Sequence, residues 1–144
     1  MGSRRTAREC ALQMLYEFDV GKHSQEEILE TFWQMNEQPE RVREFAAQLF
    51  QGSVGRLREI DSLIQRYAKN WRLSRMAAVD RNILRLAVYE FLSDCCTPGT
   101  VVINEALEIA KKFSTHESAQ FVNGILDSIK NDLVEEMRKG SRNG

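Results

Sequence analysis

Residues 76–92 read MAAVDRNILRLAVYEFL, from Met76 to Leu92, and form the most apolar stretch of a 144-residue chain. Val79, Ile83, Leu84, Leu86, Ala87, Val88 and Phe91 recur at helical spacing but cover more than one face of the predicted helix. A helix that is apolar nearly all round must be enclosed by others, so this segment belongs in the middle of a bundle. The rest of the chain supplies the enclosing helices. Only 2 Pro and 8 Gly interrupt it, and no segment alternates apolar and polar residues as a half-buried strand does. The expected fold class is all-α, with six or seven helices in two packed helical subdomains, about 4–69 and 75–137, of one domain spanning 1–144. Asn70 to Ser74 is the linker between them.

Towards the N-terminus, Ala7, Ala11, Met14, Leu15 and Phe18 mark the core face of a helix from Arg4 to Asp19, ended by Gly21 and Lys22. Ser24 and Glu27 form a capping box that opens a second helix with Ile28, Leu29, Phe32 and Trp33, stopping near Asn36. Pro39 suits the first turn of a third, whose missing N–H costs nothing there. The stripe of Val42, Phe45, Ala46, Leu49 and Phe50 runs on through Leu57, Ile60, Leu63, Ile64 and Tyr67, with a kink or break expected at Gly52 and Gly55.

Beyond residue 92, Cys95 to Thr100 reads as a turn. Ile103, Ala106, Leu107, Ala110 and Phe113 mark the next helix, and Ser114 with Glu117 is a second capping box. It opens a last helix with Val122, Ile125, Leu126, Ile129 and Leu133; the polar tail from Glu135 to Gly144 is expected to fray. Gly124 inside that helix hints at close backbone approach. Trp33, Trp71, Tyr67 and Tyr89 read as core aromatics.

Composition removes several classes of function. A hydrophobic share of 42% with 28% charged residues fits a folded globular protein. The longest run without a charge, Phe45 to Gly55, falls well short of the ~20 residues that span a bilayer. The first apolar residues are interleaved with Arg8, Glu9 and Glu17, so no secretory signal peptide is expected. Cys10, Cys95 and Cys96 suit neither a disulfide framework nor zinc-ligand spacing, which points to the cytoplasm and to no metal. With His23 and His116 as the only histidines, and no phosphate-binding or dinucleotide-binding glycine motif, neither a catalytic residue nor a cofactor is expected. Glu105 and Glu108 read as a solvated face pairing with Lys111 and Lys112 rather than as paired catalytic acids.

The N-terminus carries the functional signal. Arg4, Arg5 and Arg8 precede the first acid, Glu9, and project within one arc of about 100°. Leu12 and Tyr16 continue the line from Arg8 at i+4 and i+8, away from the core face, so Leu12 is expected to be exposed. Arginines that lead onto an exposed ring suit RNA, because guanidinium groups take phosphates and rings stack on unpaired bases. Cations at a helix N-terminus oppose the macrodipole, so stability alone does not account for them. Phe121 lies about 100° off the core stripe of the last helix. On geometry it fits equally an RNA-facing ring and an edge-of-core ring touching a neighbouring helix. With 20 Lys+Arg against 21 Asp+Glu the net charge is −1, which excludes coating nucleic acid by bulk charge. The charge is uneven, though: residues 1–8 hold three cations and no acid, whereas Ser24 to Glu44 holds six acids against two bases.

Four segments resemble the NusB family of transcription antitermination factors: RRTARECALQMLY at 4–16, VDRNILRLAVYE at 79–90, VINEA at 102–106 with Ala110-Lys111, and FVNGILD at 121–127. The resemblance spans about residues 4 to 133. It implies a non-enzymatic, cytoplasmic RNA-binding factor that pairs with the small-subunit ribosomal protein NusE and binds boxA-type single-stranded RNA. The complex helps RNA polymerase read through termination signals, notably in ribosomal RNA operons. It implies RNA-binding roles for Arg4, Arg5 and Arg8 in the family's arginine-rich start, for Tyr16 and Phe121 as RNA-facing rings, and for Glu117 at an acidic position near them. Thr6 departs from the richest family starts, where another arginine can stand, which weakens the expected phosphate contact. The same domain also occurs ahead of an RNA methyltransferase, for which 144 residues leave no room. Two other arrangements remain open: a helical adaptor that binds only protein, and a homodimer through Leu12 that masks the RNA surface. The NusE contact is expected in the second half of the chain.

Overall fold

The computed structural model describes residues 2–93 and 97–143, of which 137–143 by backbone alone. Seven α-helices and no strand occur among them: α1 Gly2–Val20, α2 Gln25–Met35, α3 Glu40–Gly55, α4 Leu57–Tyr67, α5 Ala78–Leu92, α6 Gly99–Phe113 and α7 His116–Asn143, with a 3-10 turn at Leu73–Arg75 before α5. None of the helices is long and apolar enough to cross a membrane.

Local chemistry sets most of the boundaries. Ser24 caps α2 as expected, accepting from the Glu27 N–H at 3.1 Å, and its hydroxyl donates to the Glu27 carboxylate at 3.2 Å. Pro39 stands one residue before α3, as its N-cap. The chain breaks after Gly55, at Arg56, whose φ of −117° and ψ of 24° end α3 and start α4. Gly52 lies inside α3 for a different reason: a Cβ there would fall 2.1 Å from Cζ of Tyr89, so only glycine admits that ring.

Other expectations fail. Ser114 is not a cap: its hydroxyl donates to Asp80 at 2.9 Å, while Thr115 accepts from the Ser118 N–H and caps α7. A Cβ on Gly124 would meet nothing within 4 Å, so no close approach requires that glycine. Gly99 and Thr100 already belong to α6, while Cys95 and Cys96 lie outside the described residues. The backbone of α7 is helical through Asn143.

The apolar helix is central. α5 packs against α1, α3, α4, α6 and α7, and α1 rests chiefly on α3 and α5. One buried cluster joins Met14 and Leu15 of α1, Phe50 of α3 and Ile64 of α4 to Leu84 and Val88 of α5 and Leu126 and Ile129 of α7. Each such side chain contributes about 1.5–3 kcal/mol on burial.

The polar residues of α5 are ties. Arg81 donates to Asp19 of α1 at 2.8 Å and to the carbonyls of Leu73 and Met76 at 3.1 Å each. Arg85 bonds Asp61 of α4 at 2.8 and 2.9 Å, Asn82 bonds Asp19 at 3.1 Å, and Asp80 accepts from Ser114 and Ser118. These contacts fix the segment between α4 and α5 and the start of α7 relative to α1.

Candidate nucleic-acid interface

Helix α1 opens without an acid in its first turn, and the main partner of Arg5 comes from another helix. Arg4 is exposed, and its guanidinium sits 4.7 Å from the centre of the Phe45 ring, a cation–π contact that orients it. Arg5 lays two nitrogens on the Glu105 carboxylate of α6, at 2.7 and 3.1 Å, while nearly half its side chain stays open to solvent. The hydrogen bond from Arg5 holds the Glu105 carboxyl below its ordinary range.

Arg8 and Leu12 depart from the expected exposed line. Arg8 is buried, bonded two-pronged to the equally buried Glu90 at 2.9 and 2.8 Å. Leu12 is 4% exposed and belongs to the core, which removes it as the seat of a homodimer interface. Burial on α1 thus extends beyond the main core face: Glu90 of α5 draws Arg8 inward, Leu12 joins the core cluster, and Arg5–Glu105 and Glu9–Lys112 tie α1 to α6. Arg8 reaches between α5 and α6, beside Leu86 and Val102. Lys112 and Glu105 thus pair with α1, and Lys111–Glu108, at 3.7 Å, is the remaining ion pair within α6.

The rings fall elsewhere. Tyr16 is 42% exposed, as expected. From Arg5 to Tyr16 the helix rises about 17 Å, so the arginines and the ring mark two ends of one strip. Arg8 meets Glu90 near the end of α5 and Asp19 meets Arg81 near its start, so α1 and α5 run antiparallel. Asp80 in turn holds Ser114 and Ser118. The later part of α1, the start of α5, the end of α6 and the start of α7 therefore share one end of the bundle, where Tyr16, Glu117 and Phe121 lie.

Phe121 is half-buried and meets the Trp71 ring edge-on, with centroids 6.4 Å apart at 76°. Trp71 is not a core aromatic; it is 57% exposed. The two rings wall a cleft of about 300 Å³ that Arg75 and Glu117 also line. Sequence reading missed Trp71 and Arg75 because they lie in an irregular segment, where no periodicity separates an inward ring from an outward one. The signal available was an indole within the polar run Lys69 to Ser74.

No group of three or more His, Cys, Asp or Glu side chains among the described residues is arranged to hold a metal ion. His23 faces Glu17 and His116 faces Gln120, both at the surface. The side chains gathered on the strip and cleft carry charge, rings and hydrogen-bond donors, groups that can contact phosphates and bases.

The family model described as the NusB family matches residues 5–131. The transcription antitermination protein NusB of Koribacter versatilis (strain Ellin345) is 52% identical, over 97% of each chain. The solved structure of T. maritima NusB shares 40% identity, with a TM-score of 0.81 over 89% of this chain and 90% of that one. A crystal structure of the antitermination factors NusB and NusE in complex with dsRNA matches with a TM-score of 0.82 at 28% identity, over 92% of this chain and 98% of that one.

Proposed function

The chain belongs to the NusB family, and from that premise we propose that it is an RNA-binding antitermination factor. It binds boxA-type single-stranded RNA together with NusE and promotes read-through by RNA polymerase, notably in ribosomal RNA operons, in the cytoplasm. The carrying observation is the strip of exposed arginines and rings, Arg4, Arg5 and Tyr16, leading to Glu117 and Phe121, on a fold shared with a NusB–NusE–dsRNA complex.

Each side chain has a role that its surroundings support. Arg4, oriented over Phe45, and Arg5, half open beside Glu105, take backbone phosphates. Tyr16 and Phe121 offer faces to unpaired bases. The Glu117 carboxylate repels phosphates and steers the backbone around its own position. Arg8 acts from inside, holding α1 against α5 so that its neighbours keep their register. The two helical subdomains, about 4–69 and 75–137, divide the work: the first presents the arginines, and the second supplies the NusE surface.

Anisotropy titration with a boxA-type RNA, with and without NusE and at several salt concentrations, tests the reading. Each phosphate contact on a single strand contributes about −0.7 to the log–log salt slope. Binding that weakens with salt and prefers the single strand to its duplex is expected. Affinity that ignores salt, or that survives deletion of residues 1–8 in a folded protein, removes the arginines as the phosphate contacts, and no RNA binding with or without NusE leaves a protein-only adaptor as the function.

A further inference from the structure

Trp71 is the most open of the Phe, Tyr and Trp rings among the described residues, 57% exposed against 42% for Tyr16. An aromatic side chain of this size gains most of its stabilising value from burial, so leaving it open contributes little to the fold. The segment that carries it is nevertheless firmly held. The Gln65 side-chain amide donates to the carbonyls of Ala68 and Trp71 at 3.1 and 2.8 Å, and its oxygen accepts from the Leu73 N–H at 2.9 Å. Arg81 fixes the next two turns through Leu73 and Met76, and Phe121 braces the indole edge. A rigid backbone that presents an open ring is a preorganised binding platform, because little entropy remains to be lost on binding.

The cleft beside that ring selects the chemistry of its occupant. Its volume of about 300 Å³ is at the small end of ligand pockets. Its charged lining is two acids, Asp80 and Glu117, against one cation, Arg75. Asp80 is occupied by the Ser114 and Ser118 hydroxyls, whereas Glu117 is exposed. A phosphate inside is therefore repelled, and a flat uncharged group suits both the charge and the rings.

Building on the RNA-binding reading above, we infer that this cleft is a base pocket: one unpaired nucleobase of the bound strand turns out of the strand and stacks on Trp71 beside Phe121, while Arg75 at the rim takes the adjoining phosphate. The pocket lies at the end of the bundle where Tyr16 stands, so it extends the strip rather than forming a separate site.

Trp71 reports on its own occupancy. Trp33 is half-buried, edge-on to Phe32 at 4.9 Å, so Trp33→Phe leaves Trp71 as the sole indole in a folded chain. In that variant, saturation with a boxA-type RNA should quench the Trp71 emission, and an abasic replacement at one nucleotide should abolish the quenching. Trp71→Ala should weaken binding at least about five-fold at an unchanged melting temperature, with Trp71→Phe restoring most of it. Arg75→Ala should reduce the salt slope by about 0.7. Salt-dependent binding with unaltered Trp71 emission and an unaffected Trp71→Ala variant overturns the base pocket while the RNA function stands. Failure of the unmodified protein to bind RNA, alone and with NusE, removes both, and is read without any variant.

Discussion

Arg5 and Arg8 stand three residues apart on α1 and make the same contact, a guanidinium laid two-pronged on a glutamate. Arg8 is sealed between α5 and α6, whereas Arg5 stands at the rim with half its side chain in water. Inside, the pair is dear to break, because removing one partner strands a charge in a medium that cannot solvate it. At the rim, water and salt already compete for the guanidinium, and a phosphate can replace the glutamate at small cost. Two like sequence signals thus serve opposite ends: one holds the scaffold, and the other is available to exchange partners.

The sharpest way to break this distinction is at the buried pair. Arg8→Ala or Glu90→Ala alone should cost about 3–5 kcal/mol in thermal unfolding. Replacing both by apolar residues, Arg8→Met with Glu90→Leu, should recover most of that loss. If the folded double variant binds RNA as well as the parent, Arg8 is scaffold; a loss of binding at full stability makes it an RNA contact instead.

Next comes the ion-pair knot at the other end of α1. Partial burial pushes the Asp19 carboxyl up, but hydrogen bonds from Arg81 and Asn82 and the charge of Arg85 outweigh it and leave the pKa below the ordinary value. A depressed carboxyl stabilises the fold above its unfolded pKa of about 3.9, and that share is lost as pH falls through the lower folded value. Asp19→Ala should cost about 2 kcal/mol at neutral pH and flatten the acid limb of the stability profile. An acid limb unchanged by the substitution would sink this assignment.

Smaller effects test the rim. Tyr16→Ala should lower RNA affinity at least about five-fold in anisotropy while the melting curve stays in place. Arg5→Ala should change least, flattening the salt slope by about 0.7 with the melting temperature unmoved.

The all-α class, the central place of α5 and the α2 cap were legible because each depends on local patterns: periodicity, breakers and a Ser-x-x-Glu box. Leu12 and Arg8 were not. A single apolar stripe shows which face of a helix is buried first, whereas Arg8 is drawn inward by Glu90 on α5, far along the chain, and Leu12 joins the core beside the stripe. The capping role passed from Ser114 to Thr115 for a similar reason, since Asp80 on α5 draws off the serine hydroxyl. Of the site, Tyr16 was legible from its phase on α1. Trp71 was not, because its exposure depends on Gln65 and Arg81 holding an irregular segment open.

The enclosure of α5 has a consequence for how the chain can be divided. Although α5 follows the linker, it provides a wall for α1, α3 and α4 as much as for α6 and α7, and Glu90 is the partner that Arg8 requires. A fragment ending at residue 70 exposes the inner faces of three helices and strands a buried arginine. Cut there and expressed as two pieces, the protein should stay unfolded in each tube and reassemble on mixing, which makes the linker a natural split point for a reconstitution reporter.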